Sequence, residues 1–570
     1  MKSKVTNIKQ YIPSTKKSYD LFSIHSKGKN RRYGLGSLAK LNLSSITTKN
    51  FKSHDNINKL ELNKINLIYG QNSAGKSSLL QSMLVTTENT DTLSYVSENL
   101  IPSLNFLSNT YDVGGFKHCI RDQNLRKTLT FGTEVSHDDG GSQSINFSFR
   151  NEKLTEISFD FKEFSLYGSE VGLIKGENRG EVKEKLIFNF SGSIGFKKIN
   201  SKSSEAKKIL DLHTADLSDR SRDMFDKSNY HILKSSSSSM EIDQTGFAIA
   251  ESRNSDRKLK EITINYESLY LLIPDDASAL PMVPGVLSEY IALYGIQRNK
   301  MIYAGENLAS LSNFFDPKSL AKKFKALKIN KDANLDLLTS SIIHSFCIQS
   351  HLAFTHIPPI RGIPGRGSIA NNRIADPAVR YIDNVFSTKN KEVNKKDISK
   401  INKNLLKLGM DYKVGTSEYY QLGRKQNALV LKTLQANAEL GFADVGKGVS
   451  QVLPIIVAAA IERHQNILIE QPEIHLHPRL QADVAEVLVE SLTSNNNRFI
   501  VETHSDNLLL RLQKKVRKKE LESNDISIYY LEKLANNKIQ PVKISILEDG
   551  SLSQDFPEGF FDIALNEILD

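Results

Sequence analysis

Ile65-Asn66-Leu67-Ile68-Tyr69-Gly70-Gln71-Asn72-Ser73-Ala74-Gly75-Lys76-Ser77 is the stretch that decides how this chain folds. Its last eight residues satisfy G-x-x-x-x-G-K-[ST] at every fixed position. An apolar strand pattern, Ile65 to Tyr69, leads in, and a helical pattern, Lys76 to Met83, leads out, which is the context the motif requires. The two glycines let the backbone curl until successive N–H groups point inward at phosphate oxygens. The helix N-terminus adds partial positive charge. Lys76 is placed for the β- and γ-phosphates and the Ser77 hydroxyl for Mg²⁺. The candidate ATP-binding residues of this loop are therefore Gly70, Gln71, Asn72, Ser73, Ala74, Gly75, Lys76, Ser77 and Ser78.

Outward from the loop, Asn466-Ile467-Leu468-Ile469-Glu470-Gln471-Pro472-Glu473 reads as a short buried strand ending in acids. Glu470 at its carboxyl end is a candidate Mg²⁺ ligand opposite Ser77. A further strand, Arg498 to Glu502, delivers Thr503-His504-Ser505. Parallel strands that carry such residues at their carboxyl ends converge them on one crevice. From residue 416 onward, helices alternate with short buried strands, the rhythm of a mostly parallel sheet. Residues 125–192 show period-two alternation, as in Thr128–Phe131, Ile145–Phe149, Ile157–Phe164 and Lys185–Phe190, which predicts an antiparallel meander. Leu41–Thr48 and Leu60–Tyr69 read as the two strands before the phosphate loop.

Gly70–Ser77, Ile467–Glu473 and Thr503-His504-Ser505, in this order, resemble the ATP-binding-cassette heads of SMC-type and RecF-type proteins. Between them, Asp444-Val445-Gly446-Lys447-Gly448-Val449-Ser450-Gln451 is similar to that family's signature segment. The resemblance implies an α/β fold: an ABC-type (SMC-like) P-loop ATPase head with a mixed sheet, an antiparallel β subdomain and a helical insertion. It also implies ATP and Mg²⁺ as cofactors and a homodimer or higher oligomer in which paired heads sandwich two nucleotides, with Gly448 and Ser450 contacting the partner's γ-phosphate. His504 matches the switch histidine. In the wider family the residue after the metal-side acid is the glutamate that polarises water; here it is Gln471, which can orient water but is no carboxylate base. Glu473 is the nearest substitute, so Gln471, Glu473 and His504 are the candidate catalytic residues and hydrolysis is expected to be slow.

Glu470–Pro478, the terminal Phe556–Asp562 and His356–Arg361 resemble a narrower subgroup. Its relatives include overcoming-lysogenization-defect (OLD) ATPases and the PtuA ATPase of Septu-type antiphage systems, which works beside an HNH nuclease. That resemblance implies a separate HNH-type nuclease partner and a role in antiphage defence. A Toprim nuclease domain does not fit, because no spaced acidic cluster follows Lys515. The alternatives are a RecF-like or SMC-like repair ATPase that binds DNA itself, and an ATP-gated scaffold that restrains a toxin.

Composition bounds these readings. The chain has 570 residues, 25% charged and 39% hydrophobic, as in ordinary globular proteins. Two cysteines, Cys119 and Cys347, cannot form a disulfide framework, and no apolar leader or bilayer-length run is present. A cytoplasmic protein with no membrane contact is expected. Of the net charge of +10, residues 1–40 carry +9, so the basicity belongs to an arm suited to nucleic acid or an acidic partner. The expected organisation is a basic arm (1–40), an N-terminal ATPase lobe with the meander (41–200), a polar insertion (201–265), a mostly helical middle (266–415), a C-terminal ATPase lobe (416–515) and a terminal segment (516–570). His475 and His477 form an H-x-H pair, Arg361 and Arg366 sit in a Pro/Gly-rich loop, and Arg511, Lys514, Lys515, Arg517, Lys518 and Lys519 lie together as a basic cluster. Each has a plain surface or structural reading beside a ligand-binding one.

Overall fold

A computed structural model describes residues 31–36, 41–94, 106, 112–137, 141–151, 153–173, 180–200, 202–207, 230–235, 238–247, 262–266, 270–274, 301–303, 354–359, 381–382, 385, 395–421, 424–435, 438–440 and 445–557. The phosphate-loop strand β4 (Ile65–Gly70) lies inside a six-stranded mixed sheet. The order is β14 (Phe354–Ile357), β18 (Asn466–Glu470), β19 (Arg498–Glu502), β4, β20 (Ile526–Lys533) and β21 (Ile539–Ile544). All neighbours are parallel except β20 and β21. Every residue of β4 and of β18 is buried, as expected of parallel strands covered on both faces.

The sequence pattern reads Leu60–Tyr69 as one strand, but the chain breaks it in two. Asn66 Oδ1 accepts from the Asn63 N–H at 2.8 Å and its Nδ2 donates to the Asn63 carbonyl at 2.9 Å. This local loop ends β3 (His54–Glu61) and starts β4 in a different sheet. A side chain that bonds nearby backbone competes with the ladder in this way.

β3 is one edge of a twelve-stranded sheet. From it the order runs β2 (Leu41–Phe51), β5 (Leu129–His137), β6 (Ser142–Arg150), β7 (Lys153–Leu173), β8 (Gly180–Lys198), β9 (Tyr230–Ser235), β12 (Tyr270–Pro274) and β13 (Met301–Tyr303). Side branches pair β1 (Arg31–Gly36) with β7, and β10 (Ser238–Phe247) with β8 and β11 (Ile262–Tyr266). All pairings are antiparallel except β12 with β13. The meander is therefore present and longer than its alternating core suggests. Residues 31–36 of the basic arm are a strand rather than free chain, and the polar stretch 201–265 contributes β9, β10 and β11. Most of the helical patterns in 280–355 lie outside the described residues. A third sheet pairs β15 (Tyr412–Gln421), β16 (Arg424–Thr433) and β17 (Glu439–Leu440).

Six helices matter for the site: α1 (Lys76–Ser94), α2 (Phe116–Cys119), α3 (Lys395–Lys407), α4 (Lys447–Ile461), α5 (Pro478–Asn495) and α6 (Asp506–Arg517). α1 packs between the mixed sheet and strands β2 and β5 of the large sheet. The opposite face of the mixed sheet is covered by α4, α5 and α6, whose Val452, Leu488 and Leu512 join Ile65, Leu67 and Tyr69 in one core. α5 starts at Pro478 and stops at left-handed Asn496; α6 is capped by the Ser505 hydroxyl, which accepts from Leu508 N.

The terminal segment closes this core. Phe556 meets the rings of Tyr69 and Tyr530 edge-on at 5.3 and 6.1 Å and is 7% exposed. Tyr69 directly precedes the phosphate loop, so the terminal segment supports the site from behind. Phe556→Ala is expected to cost about 3–5 kcal/mol, read as a lowered urea midpoint; an unchanged midpoint would show that the ring is not part of the core.

Candidate functional site

The loop between β4 and α1 has no room for side chains where the motif has glycine. At Gly75 φ is +80°, and a Cβ would lie 2.2 Å from Ser53 Oγ and 3.1 Å from His54 Nε2. At Gly70 it would lie 2.8 Å from the Leu531 carbonyl of β20. The Gly75 carbonyl accepts from Leu79 N at 2.9 Å and from His54 Nε2 at 2.8 Å. Burial, with Arg121 nearby, pushes the His54 pKa down to about 4, so the ring is neutral at neutral pH. Because a carbonyl only accepts, Nε2 carries the hydrogen. Arg121 in turn donates to the Ser53 carbonyl at 2.6 Å and the Asn537 carbonyl at 3.2 Å, tying the large sheet to the terminal segment behind the loop.

Lys76 is buried and donates to the carbonyls of Gly70 and Gln71, each at 2.9 Å. Burial lowers its pKa, opposed by the charges of Glu502 and Glu473. Gln71, Asn72 and Ser73 are exposed at the loop's tip. The ammonium is thus held inside the loop by two carbonyls.

Three acids gather beside Ser77 and Lys76: Glu502 and Glu473 act on the Lys76 charge, and Glu470 acts on Glu502. The Ser77 hydroxyl donates to Glu502, 2.9 and 3.1 Å from its two oxygens. Glu502 ends β19, directly opposite Glu470 at the end of β18, so both carboxylates leave the sheet on the same face. Burial and then the Glu470 charge push the Glu502 pKa up to about 7, against the pull of Ser77 and Lys76. Glu470 is paired with His356 of β14, whose Nε2 lies 2.7 Å from Oε1. Glu473 accepts from Thr503 Oγ1 at 2.8 Å and from the His504 N–H at 2.7 Å, so it fixes the loop that carries the histidine. Tyr69 Oη donates to the Ser505 carbonyl at 2.9 Å, holding the same loop from beneath. His504 is half-buried, and burial and Lys76 lower its pKa. Gln471 sits at φ +45°, with its N–H on the Glu502 carbonyl at 2.7 Å. A left-handed non-glycine residue at a convergence of polar groups is strain held at a site.

The loop, Glu470, Gln471, Glu473 and His504 therefore meet at the carboxyl ends of β4, β18 and β19. Sequence reasoning missed Glu502, which is the acid that bonds Ser77, and gave no role to His356. Both become visible only through strand order, since β19 lies between β18 and β4. The signature segment, described from Val445 onward, approaches the turn that follows β18. A Cβ on Gly448 would come within 3.5 Å of the His475 carbonyl and 3.9 Å of Leu476, and Ser450 is buried within the single chain. His477 caps α5 through Arg479 N, and no metal-ligating cluster of three or more His, Cys, Asp or Glu occurs among the described residues. The basic cluster on α6 is partly neutralised: Arg511 pairs with Asp483 and Glu486, and Lys515 with Glu486 and Glu520. Arg361 and Arg366 lie outside the described residues. No described helix is long and apolar enough to cross a membrane.

Residues 42–509 match the family described as AAA ATPase domain, and residues 521–570 match a family described as a protein of unknown function (DUF3696). No curated protein matches the chain. Similar solved structures include the Smc head domain with an extended coiled coil bound to the C-terminal domain of ScpA from Pyrococcus furiosus, at 12% identity and a TM-score of 0.35, covering 93% of this chain and 100% of that one. Another is an Smc head bound to the C-winged helix domain of ScpA, at 9% identity and a TM-score of 0.31, covering 88% and 98%.

Two measurements check this geometry. His356→Ala removes a buried partner of a carboxylate and is expected to destabilise the protein by about 1–3 kcal/mol; an unchanged urea midpoint would contradict the pairing. Glu502 ionises near 4.5 when unfolded and near 7 when folded, so the folded state binds the extra proton between those values. Stability then falls as pH rises through that window. The melting temperature of Glu502→Gln is expected to gain on wild type from pH 4.5 to 7; a constant difference would contradict the burial of a charge there.

Proposed function

The chain belongs to the AAA ATPase domain family, and we propose that it binds ATP with Mg²⁺ at the carboxyl ends of β4, β18 and β19, hydrolyses it slowly, and closes into a homodimer around it. The observation that carries this reading is the convergence of Lys76, Ser77, Glu470, Glu502 and His504 around the glycine-bounded loop between β4 and α1. The donor set suits Mg²⁺, since carboxylate oxygens, here beside a serine hydroxyl, are among its usual protein ligands. Ser77 and Glu470 are the residues proposed to hold it, and the ion would offset charge on the β- and γ-phosphates.

Gln471 would orient water rather than accept its proton. Glu473 already accepts two hydrogen bonds from the His504 loop, which favours a positioning role over that of a base. His504 would follow the γ-phosphate from the loop that Glu473 and Tyr69 hold. Ser450 is buried, so the signature's proposed contact with the partner's nucleotide would come from the N–H groups that open α4 at Lys447 and Gly448, which have no intrahelical acceptor. Regulation of a separate HNH-type nuclease in antiphage defence rests on the resemblance of Glu470–Pro478, Phe556–Asp562 and His356–Arg361.

Lys76→Ala is expected to bind ATP about 10- to 100-fold more weakly by titration calorimetry, and equal affinity would overturn the site. Gln471→Glu is expected to raise steady-state phosphate release by about tenfold or more; unchanged turnover would show that another group limits the reaction.

A further inference from the structure

The acid strand was expected to serve Ser77 through Glu470, yet the side chains are divided differently. Glu470 lies against His356 at 2.7 Å, whereas Ser77 bonds both oxygens of Glu502. Glu502 is 2% exposed and comes from β19, the strand between β18 and β4. We propose that Glu502 is a cation-side carboxylate of the nucleotide site, the one that holds the Ser77 hydroxyl, with Glu470 beside it and His356 as the positioning residue of Glu470. This rests on the ATP–Mg²⁺ reading above.

Three observations support it. A serine hydroxyl has one hydrogen and two lone pairs. With the hydrogen committed to Glu502, a lone pair remains for a cation, which fixes the hydroxyl's orientation before any ion arrives. Second, Glu470 and Glu502 are cross-strand partners on one face. Like charges so placed repel, and a divalent cation between strand ends converts that repulsion into binding. Third, magnesium sites that also use substrate phosphates take one or two carboxylates, and this pair, with Ser77, meets that number. The His356 imidazole restrains Glu470 as outer partners restrain ligating groups elsewhere.

The test is equilibrium binding of a fluorescent ATP analogue with Mg²⁺ and with EDTA, for wild type, Glu502→Gln, Ser77→Ala and the double variant. Wild type is expected to bind more tightly with Mg²⁺. Glu502→Gln is expected to reduce that Mg²⁺ enhancement by about tenfold or more, while affinity in EDTA stays level or rises because one negative charge near the phosphates is gone. The double variant should lose no more than either single one, as for residues acting together. A merely structural glutamate would weaken binding equally in both buffers. Full Mg²⁺ enhancement in Glu502→Gln, or equal weakening in both buffers, would overturn the proposal while leaving ATP binding intact. Failure of wild type to bind the analogue at all would instead overturn the nucleotide site. Should Glu502→Gln fail to fold, Glu502→Asp, with the same charge on a shorter arm, carries the same comparison and is expected to lose part of the enhancement.

Discussion

The peptide at Gly75 is the constraint on which the site depends. Its φ is one that side chains rarely adopt, its Cβ position is already taken by Ser53, and its carbonyl is held at once by α1 and by His54. The two holders belong to different layers: α1 starts at the loop itself, while His54 opens the edge strand of the twelve-stranded sheet. In the proposed ATP site, a loop that aims backbone N–H groups at phosphate binds best when it need not reorganise as the anion arrives. Here the large antiparallel sheet helps to pay that cost in advance, through a neutral, buried imidazole and the Arg121 bonds behind it. Further ties secure the same junction, from Tyr529 Oη to the Glu61 carbonyl and from Arg498 to the Leu43 carbonyl.

Strand order does the remaining work. Placing β19 between the acid strand and the phosphate-loop strand puts Glu502 nearest Ser77, and turns Glu470 toward the edge strand that carries His356. The histidine loop after β19 is held from two sides, by Glu473 through Thr503 and the His504 N–H, and by Tyr69 through the Ser505 carbonyl. Tyr69 in turn packs on Phe556. A continuous chain of contacts therefore runs from the terminal segment, through the residue before the phosphate loop, to the loop that bears His504.

Much of this was legible in the sequence, and the exceptions have physical reasons. The phosphate loop and its flanking strand and helix were evident because glycine spacing and apolar runs are local signals. The acids at 470 and 473 were visible for the same reason. Glu502 was passed over although it sits at the end of a recognised strand, because its importance depends on which strand lies next to β4, and no local pattern encodes adjacency. The single strand expected over Leu60–Tyr69 fails at Asn63, where a short side-chain-to-backbone loop outweighs continuous β propensity. The basic run after His504 looked like a solvated or DNA-facing rim; acids on α5, far away in sequence, pair with two of its members.

If the carboxyl ends of β4, β18 and β19 form one nucleotide site, hydrogen–deuterium exchange of the full chain with and without Mg²⁺ and ATP will register all three together. Slower exchange is expected together in the loop 70–78, in the turn 471–476 and in the loop 503–506, with β5 to β8 unchanged. Protection confined to the large sheet, or absent from the two acid-bearing turns while present at 70–78, would contradict it.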